Sequence, residues 1–348
     1  MHFLIIKQGA LGDVVRTSYF AEALKRKYGE TLRLSWITSR ASLELLRLNP
    51  FIDDLWSDFS EAMPHQFSRI FSLDDELDTL ECVGKLRAAS ITGATLKDGR
   101  PVYSNDSAAW FDMGLNSRFG KLRADELKKG NQRSHAEIFR NIFGVEVVAP
   151  KFYLDNACRQ WAQTELPPAD CRIGINPYAG GRWPSKELDS GELDCLIAQL
   201  LSHNSPFGES AAIVLLGAGE DLKRNKSLAA KYGVSNVLPL CTDGSVQRLA
   251  AAIGALDYLI SSDSLALHLA IAQHVSFTAF LSPTSAVEID DWGIGTKVIS
   301  TASDYCSYRK DADNKTITAD RLLDSVAKNP RLERLRGPKP RSDADRVE

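Results

Sequence analysis

No apolar run in this chain is long enough to span a bilayer, and the stretch Met1 to Ile6 is too short for a secretory h-region. A reducing cytoplasm is therefore the expected compartment. Cysteine is sparse and scattered: Cys82, Cys158, Cys171, Cys195, Cys241 and Cys306 lie singly, with no CxxC pair to signal a zinc site or a disulfide framework. A net charge of −3 gives no global attraction for nucleic acid. No GxGxxG follows a strand-like run, and no Gly-Lys-Ser/Thr closes a glycine loop. A plain dinucleotide oxidoreductase and a Walker A nucleotide site are both disfavoured. What remains is an ordinary soluble composition, 44% hydrophobic and 25% charged, and 348 residues suffice for two domains with separate cores.

Strand-like and helix-like patterns alternate along the chain. Phe3 to Lys7 reads as a strand and Gln8 to Asp13 as a tight loop. Val14 to Tyr28 reads as a helix with Val15, Phe20, Ala21 and Leu24 inward and Gly29 as its cap. Leu32 to Thr38, Phe51 to Trp56, Arg69 to Leu73 and Ser90 to Gly93 are predicted strands, and Leu77 to Ala89 a helix. Leu96 to Gly130 lacks clean periodicity and is expected to be an insertion or a cleft-lining loop. Its cations Lys121, Arg123, Lys128 and Lys129, flanked by Arg118 and Arg133, fit either a solvated helix face or a surface for an anionic acceptor. Prolines at 150, 167 and 168 mark a crossing, and a second α/β series starts at Arg172. The fold class expected is α/β, two doubly wound parallel-sheet domains facing a cleft. The boundaries are 1–150, 151–328 and a disordered, charged, Pro-rich tail over 329–348.

Three loops of the second half fall where strands end and helices begin, the edge at which open α/β sheets hold ligands. Pro177 to Lys186 offers Gly180 and Gly181 with Arg182 and Lys186, a set suited to a diphosphate. Gly217 to Asp221 offers glycine and a carboxylate for ribose hydroxyls. Ser261 to His268 offers Asp263, Ser264 and His268 beside free N–H groups of a helix start. In the first half, Gly9 and Gly12 shape the loop that ends in Asp13. Each residue has an ordinary alternative: Asp13 and Asp263 as helix caps, Lys186 as a surface charge, His268 as a satisfied core histidine.

The stretch FLIIKQGALGDVVRTSYFAEAL at Phe3 to Leu24 resembles the opening of glycosyltransferase family 9, the ADP-heptose:lipopolysaccharide heptosyltransferases. INPYAGGRWPSK at Ile175 to Lys186 is similar to that family's phosphate loop. LLGAGED, SSDSLALHLAIA and CSYRK resemble its later motifs, so that the likeness runs to about Val326. Where inner-core enzymes often read Asp-Thr-Gly, this chain has Asp263-Ser264-Leu265.

The resemblance implies a GT-B fold of two Rossmann-like domains, acceptor on the first and nucleotide-sugar donor on the second. It implies an inverting, metal-independent transfer, with no cofactor, from an ADP-sugar such as ADP-heptose to a glycan or glycolipid acceptor such as lipopolysaccharide core. By motif, Asp13 is similar to the catalytic base, Lys186 to the phosphate-binding lysine and Glu220 to the nucleoside carboxylate. Asp263, Ser264 and His268 match the donor loop. The Lys121 to Lys129 patch would give peripheral contact with the inner face of a bacterial inner membrane. A GT-B-like nucleotide-sugar epimerase and a non-catalytic nucleotide-sugar-binding module are the rival functions.

Overall fold

The computed structural model describes residues 1–181, 183–208, 211–233 and 236–332. Two six-stranded sheets dominate it. The first contains β1 (His2–Ile6), β2 (Arg33–Ile37), β3 (Asp54–Trp56), β4 (Arg69–Ser72), β5 (Ile91–Lys97) and β6 (Arg100–Tyr103), in the order β3-β2-β1-β4-β5-β6. All neighbours are parallel except the edge pair β5 and β6, an antiparallel hairpin. The second contains β7 (Cys171–Asn176), β8 (Ala211–Leu215), β9 (Val237–Pro239), β10 (Tyr258–Ser262), β11 (Ser276–Leu281) and β12 (Gly295–Ile299). Its order, β9-β8-β7-β10-β11-β12, is fully parallel and reverses direction between β7 and β10. Each sheet thus has a switch point outside the carboxyl ends of its central strands.

The central strands are apolar because helices cover both faces. Phe3, Leu4, Ile5 and Ile6 of β1 are all buried. Helix α1 (Leu11–Tyr28) lays Val14, Val15, Phe20, Ala21 and Leu24 against that sheet. It stops at Gly29, whose positive φ of 67° suits a residue without Cβ. Phe20 stacks on Phe143 at 4.8 Å between centroids, and burying each such ring stabilises by about 1.5–3 kcal/mol. The other helices that frame the site are α2 (Lys121–Gly130), α3 (His135–Phe143), α4 (Glu220–Tyr232), α5 (Val246–Gly254) and α6 (Leu265–Ala272).

The two halves share apolar contacts. Helix α1 packs on α6, and one cluster of buried side chains runs from Val14 and Val15 to Leu267 and Ile271. Behind this, Glu44 of the first half accepts from Ser245 Oγ and the Val246 N–H at 3.1 and 2.9 Å. The crossing segment is docked too: the Phe152 N–H donates to the Ala272 carbonyl at 3.1 Å, and the Asp155 N–H to Gln247 Oε1 at 3.1 Å.

Several expectations shift. The helix expected from Leu77 ends at Val83, because Arg87–Ala88 pairs with Gln66–Phe67 in a small two-stranded sheet. Leu96 to Gly130 is more ordered than a loop: it holds the end of β5, β6, a helix at Asn105–Phe111 packed with Tyr103 onto Leu80, and α2, while Trp110, Phe111, Met113, Asn116 and Lys128 line the cleft as expected of this segment. Asn329 to Leu332 is not tail. The Asn329 side-chain amide donates to Tyr258 Oη at 3.1 Å and to the Phe277 and Ile294 carbonyls at 3.2 Å, and Leu332 is buried. Residues 333–348 of the expected tail lie outside the described residues, as does Arg182. Among the described residues, no helix is long and apolar enough to cross a membrane.

Candidate active site

A cavity of about 740 Å³ opens between the carboxyl edges of the two sheets. Gly9, Gly12 and Asp13 line it from the first half. Gly180, Lys186, Gly217, Asp263, Ser264 and His268 line it from the second. Nine of the twelve residues named from sequence are therefore brought to one place. Gly181 is exposed off the cavity wall. Glu220 is also off it, its side chain 81% exposed and paired with Lys223 at 2.5 Å. The neighbouring Asp221 lines the cavity in its stead. Both acids sit in the first turn of α4, and a helix turns about 100° per residue, so only one of two adjacent side chains can face the ligand edge.

The second-half loops are tied together at their strand ends. Ser261 pairs in register with Asn176 across β10 and β7. The Asn176 side-chain amide donates to Ser264 Oγ at 2.8 Å and to the Tyr178 carbonyl at 3.1 Å, while Ser262 Oγ donates to the same carbonyl at 2.6 Å. Lys186 reaches over this platform. Its ammonium donates to Asp263 Oδ2 at 2.7 Å and to the Asp263 carbonyl at 3.3 Å. Burial alone would raise the Asp263 carboxyl; the Lys186 cation and its hydrogen bond, with His268 nearby, hold it well below the usual carboxylate range. Neither Asp263 nor Ser264 caps α6 through its side chain, so the N–H groups at this helix start receive no side-chain cap. Leu265, standing where inner-core heptosyltransferases often have glycine, opens α6 and lines the cavity.

Asp13 is not a cap either. It lies in the first turn of α1, with Ala10 in the cap position and no side-chain capping bond. Its carboxylate pairs with Arg16 at 2.7 Å and approaches Lys7 Nζ at 3.9 Å. Burial pushes this carboxyl up, but Arg16 and Lys7 outweigh it and hold it ionised below the ordinary value. Lys7 is itself fixed by Asp74 at 2.5 Å; burial opposes its charge, and Asp74 and Asp13 restore it. His268 is buried, 3.7 Å from Asp263, and burial with the Arg16 charge lowers its ring to about 4, leaving it neutral at pH 7. Gly12 permits its approach: a Cβ there would lie 2.4 Å from His268 Cδ2.

Sequence reasoning missed Arg16, Lys7, Asp74, Asp221 and Glu288, all of which line the same cavity. Asp13 and Arg16 stand three apart on a helix and so share a face, a legible signal. Nothing local marks Glu288 or Asp74, whose partners are distant in sequence. Among the described residues, no group of three or more His, Cys, Asp or Glu side chains is placed to hold a metal ion.

The pairing of two switch-point sheets across a ligand-sized cleft has solved counterparts. A family 9 glycosyl transferase from Veillonella parvula superposes with a TM-score of 0.71 at 17% identity, over 96% of each chain. The fold is GT-B. The E. coli heptosyltransferase WaaC with ADP matches this GT-B chain at a TM-score of 0.63 and 14% identity, over 94% of this chain and 100% of that one. E. coli ADP-heptose lps heptosyltransferase II matches at 0.62 and 15%, over 97% and 100%. No family model and no curated protein matches the sequence. At these identities the likeness fixes the GT-B architecture: two α/β sheets, their carboxyl edges turned to a common cleft.

Proposed function

We propose that this GT-B protein is an inverting glycosyltransferase of the family 9 kind. One observation carries the reading: the Asp13 carboxylate lines one wall of the cleft, and the Lys186–Asp263 pair lines the other. Residues 1–150 hold the acceptor and the second half holds a nucleotide-sugar donor. The donor is an ADP-sugar, ADP-heptose by analogy with the neighbours, one of which was solved with ADP. The acceptor is a lipopolysaccharide core or related surface glycan, and the work is done in the bacterial cytoplasm.

The chemistry follows from the charges. The acceptor O–H gives its proton to the Asp13 carboxylate as its oxygen attacks the anomeric carbon. A C–O bond forms on one face of the sugar as the bond to the diphosphate breaks on the other, inverting the centre. The leaving diphosphate takes the electron pair. The Lys186 ammonium and the uncapped N–H groups at the start of α6 stabilise that charge as it develops. Asp221 meets the nucleoside. Neutral His268 backs the loop without adding a second positive charge. No step asks for a metal ion.

The decisive experiment compares wild type with Asp13→Asn. Transfer from ADP-heptose to a truncated core acceptor should fall about 10²–10⁴-fold, while ADP affinity stays near wild type. Near-normal turnover in the variant would sink the assignment of Asp13. Donor binding without turnover on any glycan would make the protein a nucleotide-sugar-binding module.

A further inference from the structure

One corner of the cleft has no part in the chemistry above. Thr284, Lys128 and Glu288 line the cavity, yet they are only 4%, 5% and 5% exposed. Thr284 Oγ1 is buried with no hydrogen-bond partner. Lys128 Nζ lies 3.1 Å from the centroid of the Tyr308 ring, and no hydrogen-bond acceptor or carboxylate within ion-pair distance meets it among the described residues. Glu288 Oε2 accepts from the Tyr308 hydroxyl at 3.4 Å, the long limit for such a bond. Arg16 and Lys128 act on Glu288 only through space. Buried polar groups are as a rule hydrogen-bonded, so the unpartnered Thr284 Oγ1, with the sparsely bonded Lys128 ammonium and Glu288 carboxylate in the same cavity wall, points to groups on a ligand.

The chemistry of the three selects the ligand. The ammonium donates, the carboxylate accepts and the hydroxyl does both, which fits adjacent sugar hydroxyls. Their charges cancel, so neither an anion nor a cation is favoured at this corner. The Trp183 and Tyr308 rings, 6.2 Å apart and nearly perpendicular, add apolar faces for sugar C–H groups. The corner also spans the cleft: Lys128 comes from α2 of the first half, and the others follow β11 in the second.

We propose that Thr284, Lys128 and Glu288 are the sugar-specificity residues, holding hydroxyls of the uncharged sugar being transferred. This rests on the glycosyltransferase reading. Its test is calorimetric. Wild type is titrated with ADP and with ADP-heptose, then Glu288→Gln, Thr284→Val and Lys128→Met are compared, with thermal melts to confirm folding. Each folded variant should bind ADP within about twofold of wild type and ADP-heptose about tenfold more weakly. Should Lys128→Met fail to fold, the two near-isosteric variants carry the test. Unchanged ADP-heptose affinity, or parallel loss of ADP and ADP-heptose, would overturn the proposal. So would wild type binding ADP-heptose no more tightly than ADP. Failure of wild type to bind ADP, GDP, UDP, TDP or any of their sugars would instead overturn the glycosyltransferase reading itself.

Discussion

The guanidinium of Arg16 sits 2.7 Å from the Asp13 carboxylate, one helical turn along α1, and packs over the Trp110 ring at 5.2 Å. The pair keeps Asp13 ionised but makes it a weaker base. In the proposed transfer the working form is the carboxylate, so activity should be lost as pH falls through its ionisation. Removing the Arg16 charge raises that ionisation. In Arg16→Gln, the acid limb of kcat/KM should move upward by about 1 pH unit. An acid limb that stays in place would show that Arg16 does not tune the base.

The Lys186–Asp263 pair should matter to stability as well as to binding. Lys186→Met strands a mostly buried carboxylate and should cost about 3 kcal/mol in urea unfolding. Adding Asp263→Asn should recover part of that loss. Because the folded carboxyl is depressed, the pair's contribution is fully present above the unfolded value of about 3.9 and is lost only as pH falls below it. A gap between wild type and Lys186→Met that widens on acidification would contradict this sign.

Gly12→Ala tests the contact between the halves. Its Cβ would meet His268 Cδ2 at 2.4 Å and Nε2 at 3.2 Å, atoms of a buried ring with little room to retreat. The variant should lose about 1–3 kcal/mol of stability and lower kcat, since Asp13 follows directly on the same helix. Wild-type stability by denaturant titration would show that α1 and α6 yield more easily than their packing indicates.

Asp221 and Glu220 separate by mutation. Asp221→Asn should weaken ADP binding several-fold, about 1 kcal/mol, whereas Glu220→Gln should leave calorimetric affinity unchanged. The reverse result would return the nucleoside contact to Glu220.

These pairs show what could be seen in the chain and what could not. The β-loop-α opening, its Gly29 cap and the inner face of α1 were legible because they depend on local period and backbone freedom. The three second-half loops were legible because strand ends and helix starts fall at fixed intervals in an α/β series. Which of Glu220 and Asp221 lines the cavity was not legible, because a strand-to-helix loop motif does not set the helix phase; the structure puts Asp221 there. Reading Lys128 as part of a solvated or anion-binding face failed because α2 turns it inward onto Tyr308, some 180 residues downstream. On the same helix Lys121 and Arg123 are paired with Asp125 and Glu126 at 2.6 and 2.7 Å, so less free positive charge remains there than the residue count suggested.

The sequence alone determined that the chain would build two wound α/β sheets with charged loops at their carboxyl edges, since hydrophobic period and loop composition are local properties. Tertiary structure alone decided which charges distant in sequence meet: Lys7 with Asp74, Lys186 with Asp263, and, across the two halves, Glu288 near Lys128. Side chains from opposite halves become neighbours only when α1 docks on α6, and that contact is set by long-range packing, which no window of sequence contains.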